Sequence, residues 1–147
     1  MTLQEEVELL RNIPMFSNIE PSKLKLLAFT SERLTFGEGD VLFNEGDPGD
    51  SAFIIVDGSA DVNINTPSGE ITVAQLGRNH IVGEIAILCD VPRTASVKAT
   101  TRLDTMVISK DLFFRLIMEF PQIAVAIMRE LAERLEKTNA QLRAAGN

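Results

Sequence analysis

The chain has 147 residues, 45% of them hydrophobic, enough for one domain with a buried core. Its net charge of −7 and isoelectric point near 4.7 oppose a surface built to neutralise many phosphates, so no nucleic-acid binding by this chain alone is expected. A single cysteine, Cys89, and a single histidine, His80, rule out an internal disulfide and a Cys/His metal cluster, while an acidic N terminus and short apolar runs argue against a signal peptide or membrane span; a cytoplasmic protein is expected.

Residues 1–29 predict a helical lead-in. Leu9, Leu10, Ile13, Met15, Phe16, Leu24, Leu26 and Leu27 supply the apolar positions of two short helices, separated at Pro14 and restarted near Glu20-Pro21-Ser22. From 30 to 108 the pattern changes to short β-rich runs divided by turns such as Phe36-Gly-Glu-Gly-Asp40, Glu45-Gly-Asp-Pro-Gly-Asp50, Asp57-Gly-Ser59 and Pro67-Ser-Gly-Glu70, which predicts a barrel or sandwich. The clearest hairpin pairs Ala60 to Asn65 with Glu70 to Gln75; Val62, Ile64, Ile71 and Val73 alternate with polar neighbours and predict one buried face.

Asp47, Asp50, Asp57 and Asp61 lack the spacing of a calcium loop and suit turns instead, so no metal is expected. His80 lies in the turn Gly77-Arg-Asn-His80 and is predicted to be exposed. Cys89, with no histidine or second cysteine nearby, is predicted to be a half-buried filler. No triad, metal cluster or paired catalytic carboxylates stands out, so the chain is not expected to be an enzyme.

Residues 109–147 predict two C-terminal helices, the last one long. Ser109 suits the N-cap of a helix through Leu112, Phe113, Phe114 and Leu116, and Pro121 opens a second running to about Ala144. In that helix Met128, Leu131, Leu135, Thr138 and Leu142 step by three and four in turn, the seam of a two-stranded coiled coil with one polar interruption. A homodimer through this helix is expected; packing of the same stripe on its own barrel is the alternative.

The segment 83–97 differs from its surroundings. It has a glycine turn, about one helical turn beginning at Glu84, a break at Pro92, and an arginine, Arg93, entering a strand. The first amides of such a helix lack intrahelical partners and, with the helix dipole, favour an anion. Arg93 can bind two phosphate oxygens at once, and Glu84, an acceptor only, suits a sugar hydroxyl. Taken singly, Arg93 reads as an exposed salt bridge and Glu84 as a helix cap; together they suit a ligand with both a phosphate and a free ribose hydroxyl.

Gly83-Glu-Ile-Ala-Ile-Leu88 with Pro92-Arg-Thr-Ala-Ser-Val97 resembles the phosphate-binding cassette of the cyclic-nucleotide-binding domain family. Asn44 to Asp50 and Ala52 to Gly58 are similar to the glycine-rich turns of that family, and the flanking helices extend the likeness over nearly the whole chain. Val82 departs from the phenylalanine often found before the Gly-Glu pair and reads as a hydrophobic repacking. The resemblance implies a mainly β fold, a β-roll or jelly-roll barrel with N-terminal helices and two C-terminal helices, forming a single domain over 1–147.

It also implies that Arg93 pairs with the cyclic phosphate, that Glu84 accepts from the ribose 2′-hydroxyl, and that Gly83, Ile85, Ala86, Thr94 and Ala95 line the cassette. From Arg93 to Leu142 the likeness to activator-type bacterial members runs without a gap, which implies base contacts for Thr138 and Asn139, one of them supplied by the partner in a dimer. Thr94 resembles readers of cyclic GMP, while Thr138 and Asn139 resemble an adenine reader; cyclic AMP is expected over cyclic GMP, with no further cofactor. The expected function is a sensor module whose ligand moves the C-terminal helix, with a downstream effector protein as a further partner. Two alternatives are a truncated activator-type transcription factor and a ligand-free interaction domain of the same fold. The first would need a helix-turn-helix, which does not follow Gln141-Leu-Arg-Ala-Ala-Gly-Asn147; an ordinary Met1 is expected of a complete small protein.

Overall fold

The computed structural model of the chain describes residues 2–13 and 16–146, except for the side chain of Glu130. The predicted break at Pro14 and the apolar position Met15 lie outside the described residues. Helix α1 spans Leu3–Arg11 and is capped by Thr2, whose hydroxyl accepts from the Glu5 amide at 3.2 Å. Helix α2 spans Pro21–Thr30, with the proline in its first turn, where a missing N–H costs nothing. Leu10, Ile13, Phe16, Leu24 and Leu27 enter the core as predicted. Leu26 does not: it lies on the opposite side of α2 from Leu24 and Ala28, and is exposed.

The strands are β1 (Glu32–Phe36), β2 (Val41–Phe43), β3 (Ser51–Asp57), β4 (Ala60–Thr66), β5 (Gly69–Leu76), β6 (Ile81–Val82), β7 (Ser96–Ala99) and β8 (Leu103–Ser109). They pair antiparallel in two four-stranded sheets, ordered β1-β8-β3-β6 and β2-β7-β4-β5. This is the β-roll architecture with flanking helices that was expected. Strand β3 is buried continuously from Ala52 to Val56 because both its faces are covered. Ala52, Ile54 and Val56 meet the helices, while Phe53 and Ile55 fill the barrel interior with Val97, Ala99 and Leu103.

The β4–β5 hairpin forms in the predicted place, but its apolar face is not fully buried. Ile71 and Val73 are 47% and 42% exposed. Two features explain this. Strand β5 is at the edge of its sheet, with β4 as its one neighbour, and the register shifts between Val62 and Asn63, interrupting the alternation. His80 is half-buried rather than exposed, its Nδ1 lying 3.2 Å from the Gly77 amide and 3.1 Å from the Gly77 carbonyl. Cys89 is exposed rather than a half-buried filler, since Glu84, Ala86 and Ile87 form the inward side of its short helix.

Helix α3 (Glu84–Cys89) interrupts the barrel between β6 and β7. After β8, Ser109 caps α4 (Lys110–Glu119) by accepting from the Leu112 amide at 3.2 Å, and Pro121 opens α5 (Pro121–Ala145). Phe113, Ile123 and Ile127 join the core, and Leu131 packs partly against it. Met128, Leu135 and Leu142 remain about 60% exposed, so most of the predicted seam is not absorbed by the chain's own barrel. Replacing the cap, Ser109→Ala, is expected to lower stability by about 1 kcal/mol in urea unfolding.

Candidate functional site

The segment 83–97 folds into a cup closed by the loop that precedes β3. Gly83 holds φ at +91°, a left-handed conformation that an L side chain rarely adopts, and so turns the chain directly from β6 into α3. A Cβ at Gly83 would lie 2.6 Å from Arg93 Nη1. Across the cup, a Cβ at Gly49 would meet the Ala86 Cβ at 2.3 Å, so glycine is required there for space. Arg93 is stitched to the same loop through its backbone: its amide donates to the Asp47 carbonyl and its carbonyl accepts from the Gly46 amide, both at 2.8 Å.

The Arg93 side chain is only 4% exposed. Its Nη1 donates to the Gly83 carbonyl at 2.9 Å and its Nη2 to the Ser51 carbonyl at 2.8 Å, while the guanidinium carbon lies 4.1 Å over the Phe43 ring. Burial lowers the Arg93 pKa from its ordinary value, and the nearby carboxylates of Asp50, Glu84 and Asp47 act in the opposite direction. The Nε hydrogen has no hydrogen-bond partner among the described residues. A buried donor of this kind, beside the first-turn amides of α3, suits an anionic acceptor.

Glu84 is 1% exposed, and the burial of Arg93 sets aside the exposed salt bridge that Arg93 alone suggested. Glu84 Oε1 lies 3.3 Å from Arg134 Nη1, and Arg134 Nη2 donates to the Ile81 carbonyl at 2.7 Å. Arg134 thus links α5 to the cassette and to β6. Gly83, Glu84, Ile85, Ala86, Arg93, Thr94 and Ala95 all line one small cavity of about 60 Å³, together with Phe43, Val62 and Arg134.

The two predicted residues of the last helix lie elsewhere. Thr138 borders a neighbouring groove of about 520 Å³ between β5 and α5, and its hydroxyl donates to the Arg134 carbonyl at 3.0 Å. Asn139 is half-buried and borders neither space. Arg134 borders both. Arg134, Phe43, Ser51 and Gly49 are the site residues that sequence reasoning missed; the signal for Arg134 was its position one helical turn before Thr138.

Among the described residues there is no group of His, Cys, Asp and Glu side chains placed to hold a metal ion, and no helix is long and apolar enough to cross a membrane. The Asp47 carboxylate accepts from the Asn44 amide at 3.0 Å, the turn role expected of it.

A CRP-like cAMP-activated global transcriptional regulator of Mycobacterium tuberculosis is 31% identical over 136 residues, which are 92% of this chain and 61% of the regulator. A cAMP-dependent protein kinase regulatory subunit of Blastocladiella emersonii is 32% identical over 109 residues, 74% of this chain and 27% of the subunit. The chain therefore spans about three-fifths or less of the length of these relatives, which are regulatory proteins and not enzymes. Among solved structures, the N-terminal domain of a transcriptional regulator from Streptomyces coelicolor A3(2) matches with a TM-score of 0.67 and 31% identity, covering 90% of this chain and 95% of that one. The Thermus thermophilus catabolite activator protein matches with a TM-score of 0.77 and 25% identity, covering 90% and 63% respectively. The family model of the cyclic nucleotide-binding domain matches residues 33–120, and the chain belongs to that family.

Proposed function

We propose that this chain is a cytoplasmic sensor, one domain over 1–147, in which a cyclic nucleotide bridges the cassette to α5 and shifts that helix. The observation that carries the reading is the burial of Glu84, at the start of α3, against Arg134, because it joins the ribose-binding candidate directly to the movable element. Arg93, with its uncommitted Nε hydrogen, meets the cyclic phosphate, and Gly83, Ile85, Ala86, Thr94 and Ala95 form the wall around it. Cyclic AMP is preferred to cyclic GMP, a choice supported by similarity to relatives named for cAMP.

A ribose hydroxyl donating to Glu84 competes with the Arg134 guanidinium for the same carboxylate. Ligand energy reaches α5 only to the extent that this competition makes the two helix positions differ in affinity. The exposed stripe of Met128, Leu135 and Leu142 supports self-association of a second copy along α5, with Thr138 facing the base from its own chain and Asn139 from the partner copy. With a net charge of −7, the signal passes to an effector protein rather than to nucleic acid held by this chain.

Titration calorimetry is expected to show cyclic AMP binding to the wild-type chain and roughly 100-fold weaker binding to Arg93→Leu, since two charge-assisted hydrogen bonds are lost. Glu84→Gln provides a companion that keeps the side-chain shape; absence of heat from either nucleotide with the wild type would overturn the reading. Hydrogen exchange of the α5 amides is expected to respond to cyclic AMP in the wild type and not in Arg134→Ala; an equal response in both would rule out this route of coupling. Light scattering is expected to find a dimer that becomes monomeric in the double variant Leu135→Asp, Leu142→Asp, with nucleotide still bound at the cassette but more weakly, because the base contact from the second copy is lost.

A further inference from the structure

The cassette cavity is too small for a whole nucleotide. At about 60 Å³ it offers the share of liquid volume of roughly two water molecules, whereas drug-sized ligands occupy pockets of about 300–1,000 Å³. The groove of about 520 Å³ meets it at Arg134, so a ligand whose phosphate sits at Arg93 extends its base into that groove.

The groove runs along an edge. Its β side is formed by the consecutive residues 72–76, which alternate between the two faces of the sheet, so what they share is the free edge of β5. Its helical side is formed by Arg134, Lys137, Thr138 and Gln141, the positions of one α5 face, with Glu133 at the margin of that face and His80 closing the barrel side. The Thr138 hydroxyl already donates to the Arg134 carbonyl, which leaves this side chain only acceptor capacity toward a base. Neither the Lys137 nor the Gln141 side chain makes a hydrogen bond or ion pair with any described residue, and both are exposed.

We propose that Gln141 is the specificity-determining residue for the base, reading an adenine edge through its carboxamide, and that Lys137 beside it admits guanine. The inference rests on the cyclic-nucleotide reading of the cassette. Position favours Gln141: with Arg134 at the ribose end, a rise of 1.5 Å per residue carries Gln141 about 10 Å further along α5, toward the far edge of a base. Chemistry gives the two side chains opposite preferences. A carboxamide offers a donor and an acceptor side by side and matches the N7 acceptor and N6 donor of adenine. The Lys137 ammonium has donors only and matches the two acceptors of guanine, O6 and N7. Side by side, they keep the margin between the two nucleotides narrow and make it reversible by one substitution.

The test is calorimetric titration of cyclic AMP and cyclic GMP into the full chain and into Gln141→Leu, Gln141→Lys and Lys137→Leu. Gln141→Leu is expected to weaken cyclic AMP roughly tenfold and leave cyclic GMP nearly unchanged; Lys137→Leu is expected to do the reverse, and Gln141→Lys to make cyclic GMP the tighter ligand. Melting of the ligand-free variants is expected to match the wild type, because both side chains are exposed. If the wild type binds nucleotide but each variant affects both ligands equally or neither, this assignment falls and the cassette reading stands; if the wild type binds neither nucleotide, both fall.

Discussion

The cassette depends on keeping the Arg93 guanidinium away from water in an acidic protein. Desolvating a charge is expensive unless its hydrogens find acceptors, and here two of those acceptors are main-chain carbonyls, Gly83 and Ser51. Each is available only because of a particular backbone course, the left-handed turn at Gly83 and the start of β3 at Ser51. The flat face of the guanidinium rests on Phe43 of β2. One side chain thereby ties together a strand from each sheet and the glycine turn, and the backbone of the same residue holds the loop at Asp47.

Overall charge is a poor guide to what such a cup binds. The protein carries −7, yet the carboxylates near Arg93, those of Asp50, Glu84 and Asp47, favour its charged form and so help to keep a cation buried at the anion end of the site. Glu84 in turn has Arg134 opposite it. Short-range pairing decides the chemistry of the cup, while the summed field governs solubility and encounter with other macromolecules.

What was legible in the sequence is local. The cap at Ser109, the prolines opening α2 and α5, and the glycine turn into a short helix at Glu84 each depend on a few adjacent residues, and each is found where expected. Arg134 was not recognised as a partner of Glu84 because fifty positions separate them and only the folding of α5 over the barrel brings them together. The cation–π contact of Phe43 and the steric requirement at Gly49 were hidden for the same reason. The exposure of Ile71 and Val73 was missed because alternation shows which face is apolar, not whether the strand has a neighbour to cover it.

The attachment of α5 at Arg134 works in both directions. The inner side of the helix grips the cassette, and its outer side presents Met128, Leu135 and Leu142 to whatever approaches. Thermodynamic linkage requires that a body binding the outer side more tightly in one helix position also change the affinity of the cup, by the same factor with which the cup's occupant changes that body's affinity. The affinity of the cup is therefore not a property of its lining alone. It belongs to the lining together with the surroundings of the helix, so the abundance of a companion tunes the threshold at which the sensor responds.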